Sequence, residues 1–130
     1  MARKRVLIVD DETESRTLLR ELLGTGYEIC EATDGTEGLA RAEQFRPDVI
    51  LLDVRMPGLD GYEVCRGLKR NPEIQAIPVI MVTAVEDTTL NHLAFEAGAA
   101  ACLTKPVRQE ALVTLIEALT PKAKSSEDEP

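Results

Sequence analysis

The sequence has no tryptophan, a single histidine, and aromatic residues at only 3% of its 130 positions. A core built from it must be aliphatic, drawn from Val, Leu, Ile and Ala. Positive charge is also scarce: 15 Lys and Arg stand against 23 Asp and Glu, for a net charge of −8. A nucleic-acid binder presents a basic face to phosphates. The only basic cluster here is Arg3-Lys4-Arg5, which reads as the solvated start of a strand, so direct nucleic-acid binding is not expected. The three cysteines, Cys30, Cys65 and Cys102, lie far apart and lack CxxC spacing. Neither a metal cage nor a disulfide framework follows. They read as reduced, buried thiols of a cytoplasmic protein. No run is long and apolar enough to span a membrane. The basic tripeptide passes straight into a strand-like run with two aspartates, unlike a secretory leader.

What is present fits one domain. A chain of this size buries roughly two-thirds of its unfolded surface, and 44% of its residues are hydrophobic. Five short apolar runs punctuate it: 6–9, 27–32, 49–52, 79–82 and 100–103. The first, third and fourth are continuous and β-branched, as in strands buried on both faces. The second is interrupted by Glu28 and Glu31 and reads as an edge strand. Helical spacing separates the runs, with Leu18, Leu19, Leu22 and Leu23 in the first helix. Further helices are expected over 35–45, 61–70, 87–97 (with Leu90, Leu93, Ala94 and Ala97) and 107–119. Regular strand–helix alternation with short connections predicts an α/β fold, a parallel sheet covered by helices on both sides. The domain is expected over residues 1–120, with 121–130 a disordered tail or linker.

Ligands of such sheets bind at the carboxyl ends of the strands. Those ends carry Asp10 and Asp11, then Asp53, then Thr83 and Ala84, then Thr104-Lys105-Pro106. In a flavodoxin-like 2-1-3-4-5 sheet these residues share one mouth. Two carboxylates about 4 Å apart repel by roughly 4 kcal/mol at an effective dielectric of 20. A hard divalent cation with oxygen ligands relieves this, and Mg²⁺ favours one or two carboxylates, waters and a phosphate oxygen. A carboxylate can then act as nucleophile and form an aspartyl phosphate. Each residue also has a plainer explanation. Asp11 with Glu14 fits a capping box. Asp53 could be a turn residue before Pro57-Gly58. Thr83 could cap the next helix, although Asp87 suits that place better. Lys105-Pro106 could be only a loop before a helix. All four at central strand ends together argue for a site.

The motifs Val-Asp-Asp at 9–11, Leu-Leu-Asp-Val-Arg-Met-Pro-Gly-Leu-Asp-Gly at 51–61, Val-Thr-Ala at 82–84 and Thr-Lys-Pro at 104–106 complete the pattern. With Asp34-Gly35 and Gly98-Ala99, the chain resembles the CheY-like receiver domains of bacterial two-component response regulators over residues 4–120. The resemblance implies a doubly wound five-stranded parallel sheet, order 2-1-3-4-5, with five helices. It implies that Asp53 accepts a phosphoryl group from a sensor histidine kinase or phosphotransfer protein. Mg²⁺ would be held by Asp10, Asp11, Asp53 and the Arg55 main-chain carbonyl. Lys105 would contact the phosphoryl group, Thr83 would move toward it, and the small Ala84 would leave it accessible. The Lys105–Pro106 bond would be cis. Output would pass to an effector protein or fused output domain through the 87–120 face, with a phosphorylation-dependent dimer as one route.

One position departs from the family pattern. Members usually carry Tyr or Phe three residues before the lysine, and here that residue is Cys102. A thiol supplies neither the volume nor the aromatic surface of a ring. The switch is therefore expected to run through the loop after Thr83 and helix 87–97. Arg55 reads either as a solvent-facing loop residue or as a partner for phosphoryl oxygens. His92 reads as a surface residue, and Tyr27, Phe45, Tyr62 and Phe95 as packing residues.

Two other functions compete. A haloacid-dehalogenase-like phosphatase would need a second Asp two residues after the nucleophile, where Arg55 stands, and room for a cap domain. A degenerate, non-phosphorylated interaction module would lose acidic or lysine positions, and none is lost. The protein is expected to promote its own phosphorylation and dephosphorylation without turning over an external substrate.

Overall fold

The protein is described by a computed structural model covering residues 3–84 and 88–121, without the side chains of residues 88–91. Strands are β1 (Lys4–Val9), β2 (Tyr27–Ala32), β3 (Val49–Asp53), β4 (Val79–Thr83) and β5 (Ala101–Thr104). Helices are α1 (Thr13–Leu23), α2 (Gly35–Phe45), α3 (Gly61–Arg70), α4 (Thr88–Ala97) and α5 (Gln109–Leu119). The strands pair in parallel in the order β2-β1-β3-β4-β5. This is the expected doubly wound, flavodoxin-like sheet.

The two-residue period of a strand explains the two cores. Leu7, Val9, Ile50, Leu52, Val79 and Met81 face one way, toward Ala42, Val64, Leu68, Ala94 and Ala97 of α2, α3 and α4. Val6, Ile8, Val49, Leu51 and Ile80 face the other, toward Leu19, Leu23, Leu112 and Ile116 of α1 and α5. Both faces of β1, β3 and β4 are thereby removed from water, which is why their sequences read as unbroken apolar runs. The interrupted run, β2, is an edge strand as expected.

Several sequence expectations need correction. Phe95 is 53% exposed and does not pack in the core, because the buried stripe of α4 runs through Ala94 and Ala97. Leu93 and Leu18 are also exposed, each one position before a buried residue and so rotated about 100° off the stripe. Only Cys65 is fully buried. Cys30 and Cys102 are half-buried because they lie on the two edge strands, and all three are free thiols. His92 is exposed, as expected, and pairs with Glu96 at 2.9 Å. The expected cap Asp87 and the tail from residue 122 lie outside the described residues.

The helix starts bear on the site. Asp34 caps α2 by accepting from the Glu37 N–H, and Asp60 forms a full capping box with Glu63 on α3. The N-cap of α1 is Glu12, with no side-chain capping bond. Asp11 and Glu14 therefore do not form the capping box considered above, and the Asp11 carboxylate is left for other work.

The loop after β3 folds back onto the sheet: Val54 N–H donates to Val82 O, and Gly61 N–H donates to Val54 O. Gly61 lies so close that a Cβ there would meet Asp53 O at 2.5 Å and Val54 Cα at 2.8 Å. Backbone atoms cannot yield as a flexible side chain would. Gly61→Ala should therefore destabilise the fold by about 1–3 kcal/mol or more, against about 1 kcal/mol for the lost cap in Asp60→Ala. Urea denaturation measures both, and a Gly61→Ala midpoint equal to wild type would contradict this close approach.

Candidate functional site

Strand register brings the predicted residues together. Val9 pairs with Leu52, so Asp10 emerges abreast of Asp53. Asp53 pairs with Val82, and Thr83 with Thr104, so Thr83 and Lys105 follow on the same rim. The Lys105 N–H donates to Thr83 O at 2.7 Å, and the Lys105–Pro106 peptide is cis as expected.

Asp10 is 1% exposed and Asp53 7%. The backbone holds Asp10 firmly: its N–H donates to Ala32 O, and its Oδ1 accepts from the Glu12 N–H at 2.9 Å. Its carbonyl accepts from Arg16 Nη1 at 2.8 Å, and Arg16 Nε bonds Glu31 Oε1 at 2.9 Å. Asp10 Oδ2 is buried with no hydrogen bond. Lys105 Nζ stands 3.6 Å from that oxygen and 3.7 Å from Asp53 Oδ1. It donates to Ser15 Oγ at 3.2 Å. Asp11 is exposed at the rim, and one carboxylate oxygen from each of Asp10, Asp11 and Asp53 lies within 4.8 Å of the others.

The other predicted positions lie around this centre. Thr83 is buried at the end of β4 and Ala84 is exposed beyond it. The Arg55 side chain is exposed, which matches its plainer reading as solvent-facing. Arg55 contributes through its backbone, whose hydrogen bond helps hold the Asp53 carboxylate ionised. Cys102 pairs with Met81 two residues before Thr104, on the rim strand but below the mouth. Ser15 and Arg16 were not singled out from sequence. Their signal was only positional: side chains in the first turn of a helix lean back toward its N-terminus, here over the strand ends.

Three carboxylates thus share one ammonium. Burial first, then the Asp10 charge, push the Asp53 carboxyl up to about 6 against the opposing pull of Lys105. Burial also raises Asp10, offset in part by the Glu12 N–H and by Lys105. The donor set is all oxygen and anionic, and it includes an unsatisfied buried oxygen. That suits a hard divalent cation such as Mg²⁺.

The proton balance gives a test. Asp53 moves from 3.8 in an unperturbed chain to about 6 in the fold. Between those values the folded state binds more protons, so stability falls as pH rises through the window. The effect is up to about 3 kcal/mol. Glu31 and Glu37 act oppositely, since arginine and backbone partners hold them below the usual range, but their loss lies at lower pH. The melting temperature of EDTA-treated protein should fall between about pH 4 and pH 6. Asp53→Asn should flatten that profile, and millimolar Mg²⁺ should raise the wild-type value near pH 7. Parallel profiles for the two proteins would contradict the crowded-carboxylate account.

Known proteins share this arrangement of chain and fold. Residues 6–117 match the family described as the response regulator receiver domain. The response regulator PleD of Caulobacter vibrioides is 43% identical over 117 residues, covering 89% of this chain but only 26% of its own length. Protein PilH of Pseudomonas aeruginosa is 42% identical over 116 residues, 88% of this chain and 96% of PilH. The chemotaxis protein CheY4 of Vibrio cholerae superposes with a TM-score of 0.84 at 32% identity, covering 91% of this chain and 99% of that one. This chain spans about a quarter of PleD and nearly all of PilH. It belongs to the response regulator receiver domain family.

Proposed function

We propose that the protein is a phosphorylatable receiver in a two-component relay, with Asp53 as phosphoacceptor. The observation that carries this reading is the meeting of Asp10, Asp11 and Asp53 at one rim, with the Lys105 ammonium 3.7 Å from Asp53. Residues 1–120 would form the receiver unit, a reading supported by α5, the last helix among the described residues, ending at Leu119.

In the proposed reaction an Asp53 oxygen attacks the phosphorus of a phosphohistidine. The P–N bond breaks, and the electron pair leaves with the imidazole of the donor kinase or phosphotransfer protein. Asp10, Asp11, Asp53 and the Arg55 carbonyl would hold Mg²⁺, which supplies charge neutralisation at the phosphoryl oxygens. Lys105 pairs with a phosphoryl oxygen, and the Thr83 hydroxyl donates to another. Ala84 leaves the approach open. The protein turns over no external substrate, and it acts in the cytoplasm beside its kinase.

Output runs through α4, β5 and α5 to an effector, a fused output domain or a second phosphorylated copy. The lengths of PilH and PleD show that near-whole-length and part-length matches both occur among relatives. Movement of Thr83 passes through the following loop to α4, because Cys102 has no ring to rotate.

Incubation with Mg²⁺ and acetyl phosphate, followed by intact mass, tests the reading. One phosphoryl group should be gained, and it should be absent in Asp53→Asn and without Mg²⁺. Lys105→Ala should slow the gain on the order of tenfold or more. A folded wild-type protein that gains nothing, and binds no beryllofluoride, would point to an interaction module that is not phosphorylated.

A further inference from the structure

Lys105 lies between two buried carboxylates, at ion-pair range of both but in a closed hydrogen bond with neither. Nζ is 3.6 Å from Asp10 Oδ2 and 3.7 Å from Asp53 Oδ1. A charge-assisted N–H···O bond closes to about 2.7–2.9 Å. Asp10 Oδ2 is an open acceptor, since no hydrogen bond reaches it. The ammonium instead donates to Ser15 Oγ at 3.2 Å, and the Ser15 hydroxyl donates onward to Glu12 Oε1 at 3.3 Å.

Ser15 is half-buried in the first turn of α1. Its hydroxyl sits where it can serve both neighbours, as acceptor for Lys105 and donor to the Glu12 carboxylate. The ammonium is thereby tethered toward α1, off the oxygens that three aspartates turn to the mouth.

We propose that Ser15 is a positioning residue for Lys105. Its hydroxyl keeps the ammonium from closing on Asp10 and Asp53, so their oxygens stay open to a divalent cation until a phosphoryl group draws the lysine inward. This rests on the Mg²⁺ reading above. Ammonium and metal compete for the same two carboxylates, so what holds the lysine back sets the metal affinity. No other residue of α1 makes this contact among the described residues. Arg16, its neighbour, bonds the Asp10 carbonyl and Glu31 instead.

Calorimetric titration of the whole chain with MgCl₂ near pH 7 tests this. In Ser15→Ala the freed ammonium should close on the carboxylates and weaken Mg²⁺ binding by roughly three- to tenfold. Ser15→Thr keeps the hydroxyl and should bind as wild type. Alanine is a good helix former, so the Ala variant should fold. Lys105→Ala should bind Mg²⁺ more tightly, and adding Ser15→Ala to it should change nothing further. Wild-type affinity in Ser15→Ala, or an equal loss with and without Lys105, would overturn the role of Ser15 while leaving the Mg²⁺ site intact. A folded wild-type protein that takes up no Mg²⁺ would overturn both.

Discussion

Everything at the mouth of this sheet follows from one constraint: three carboxylates must share a small volume with a single ammonium. Asp10 and Asp53 are buried, so water cannot screen their repulsion. The result is a raised Asp53 carboxyl and a buried Asp10 oxygen without a hydrogen bond. Such a cluster does not stabilise a fold. It persists because the scaffold around it leaves the side chains nowhere else to go, and a bound divalent cation would relieve it.

The scaffold achieves this mainly by fixing the backbone, with a few side chains that grip it. Parallel register sets Asp10 abreast of Asp53. The Asp10 main chain is held from both sides, by Ala32 through its N–H and by Arg16 through its carbonyl. The loop after Asp53 returns at Gly61, where no side chain fits. Arg16 is itself fixed by Glu31, and Glu31 also takes Arg20, so one carboxylate of the edge strand β2 ties α1 to the sheet beside the site. Asp10 and Asp11 are neighbours with opposite surroundings. The first is immobilised in the protein, and the second is open to solvent and to an arriving ligand.

Much of this was legible in the sequence because it rests on periodicity and on strand ends. Unbroken apolar runs marked β1, β3 and β4, and two glutamates marked β2 as an edge. The polar residues that close β1, β3, β4 and β5 marked the candidate site, and the fold brings them together. What periodicity could not show was the choice among neighbouring helical positions. Phe95 is exposed because, among the described side chains of α4, the buried face runs through Ala94 and Ala97. Capping was also ambiguous, since Asp11 followed by Glu14 has the spacing of a capping box that the fold does not form. Ser15 and Arg16 were invisible for another reason. Their importance lies in contacts spanning 90 residues in one case and a main-chain carbonyl in the other, and neither leaves a pattern in local sequence.

Cys102 shows how far the two levels can separate. The sequence marks it as a departure at a position where a ring is usual, and the structure puts it on an edge strand, half-buried, paired with Met81. A ring there can swing between solvent and core because an edge strand leaves it space on one side. A thiol has neither the length to cross that space nor the area to fill it. In the proposed switch, movement at Thr83 would then have to be carried by backbone that the site itself holds. Lys105 N–H is bonded to Thr83 O, so the ends of β4 and β5 are tied together. A displacement at Thr83 that passes to α4 as proposed would also pull on the strand that carries Cys102, without any side chain having to rotate.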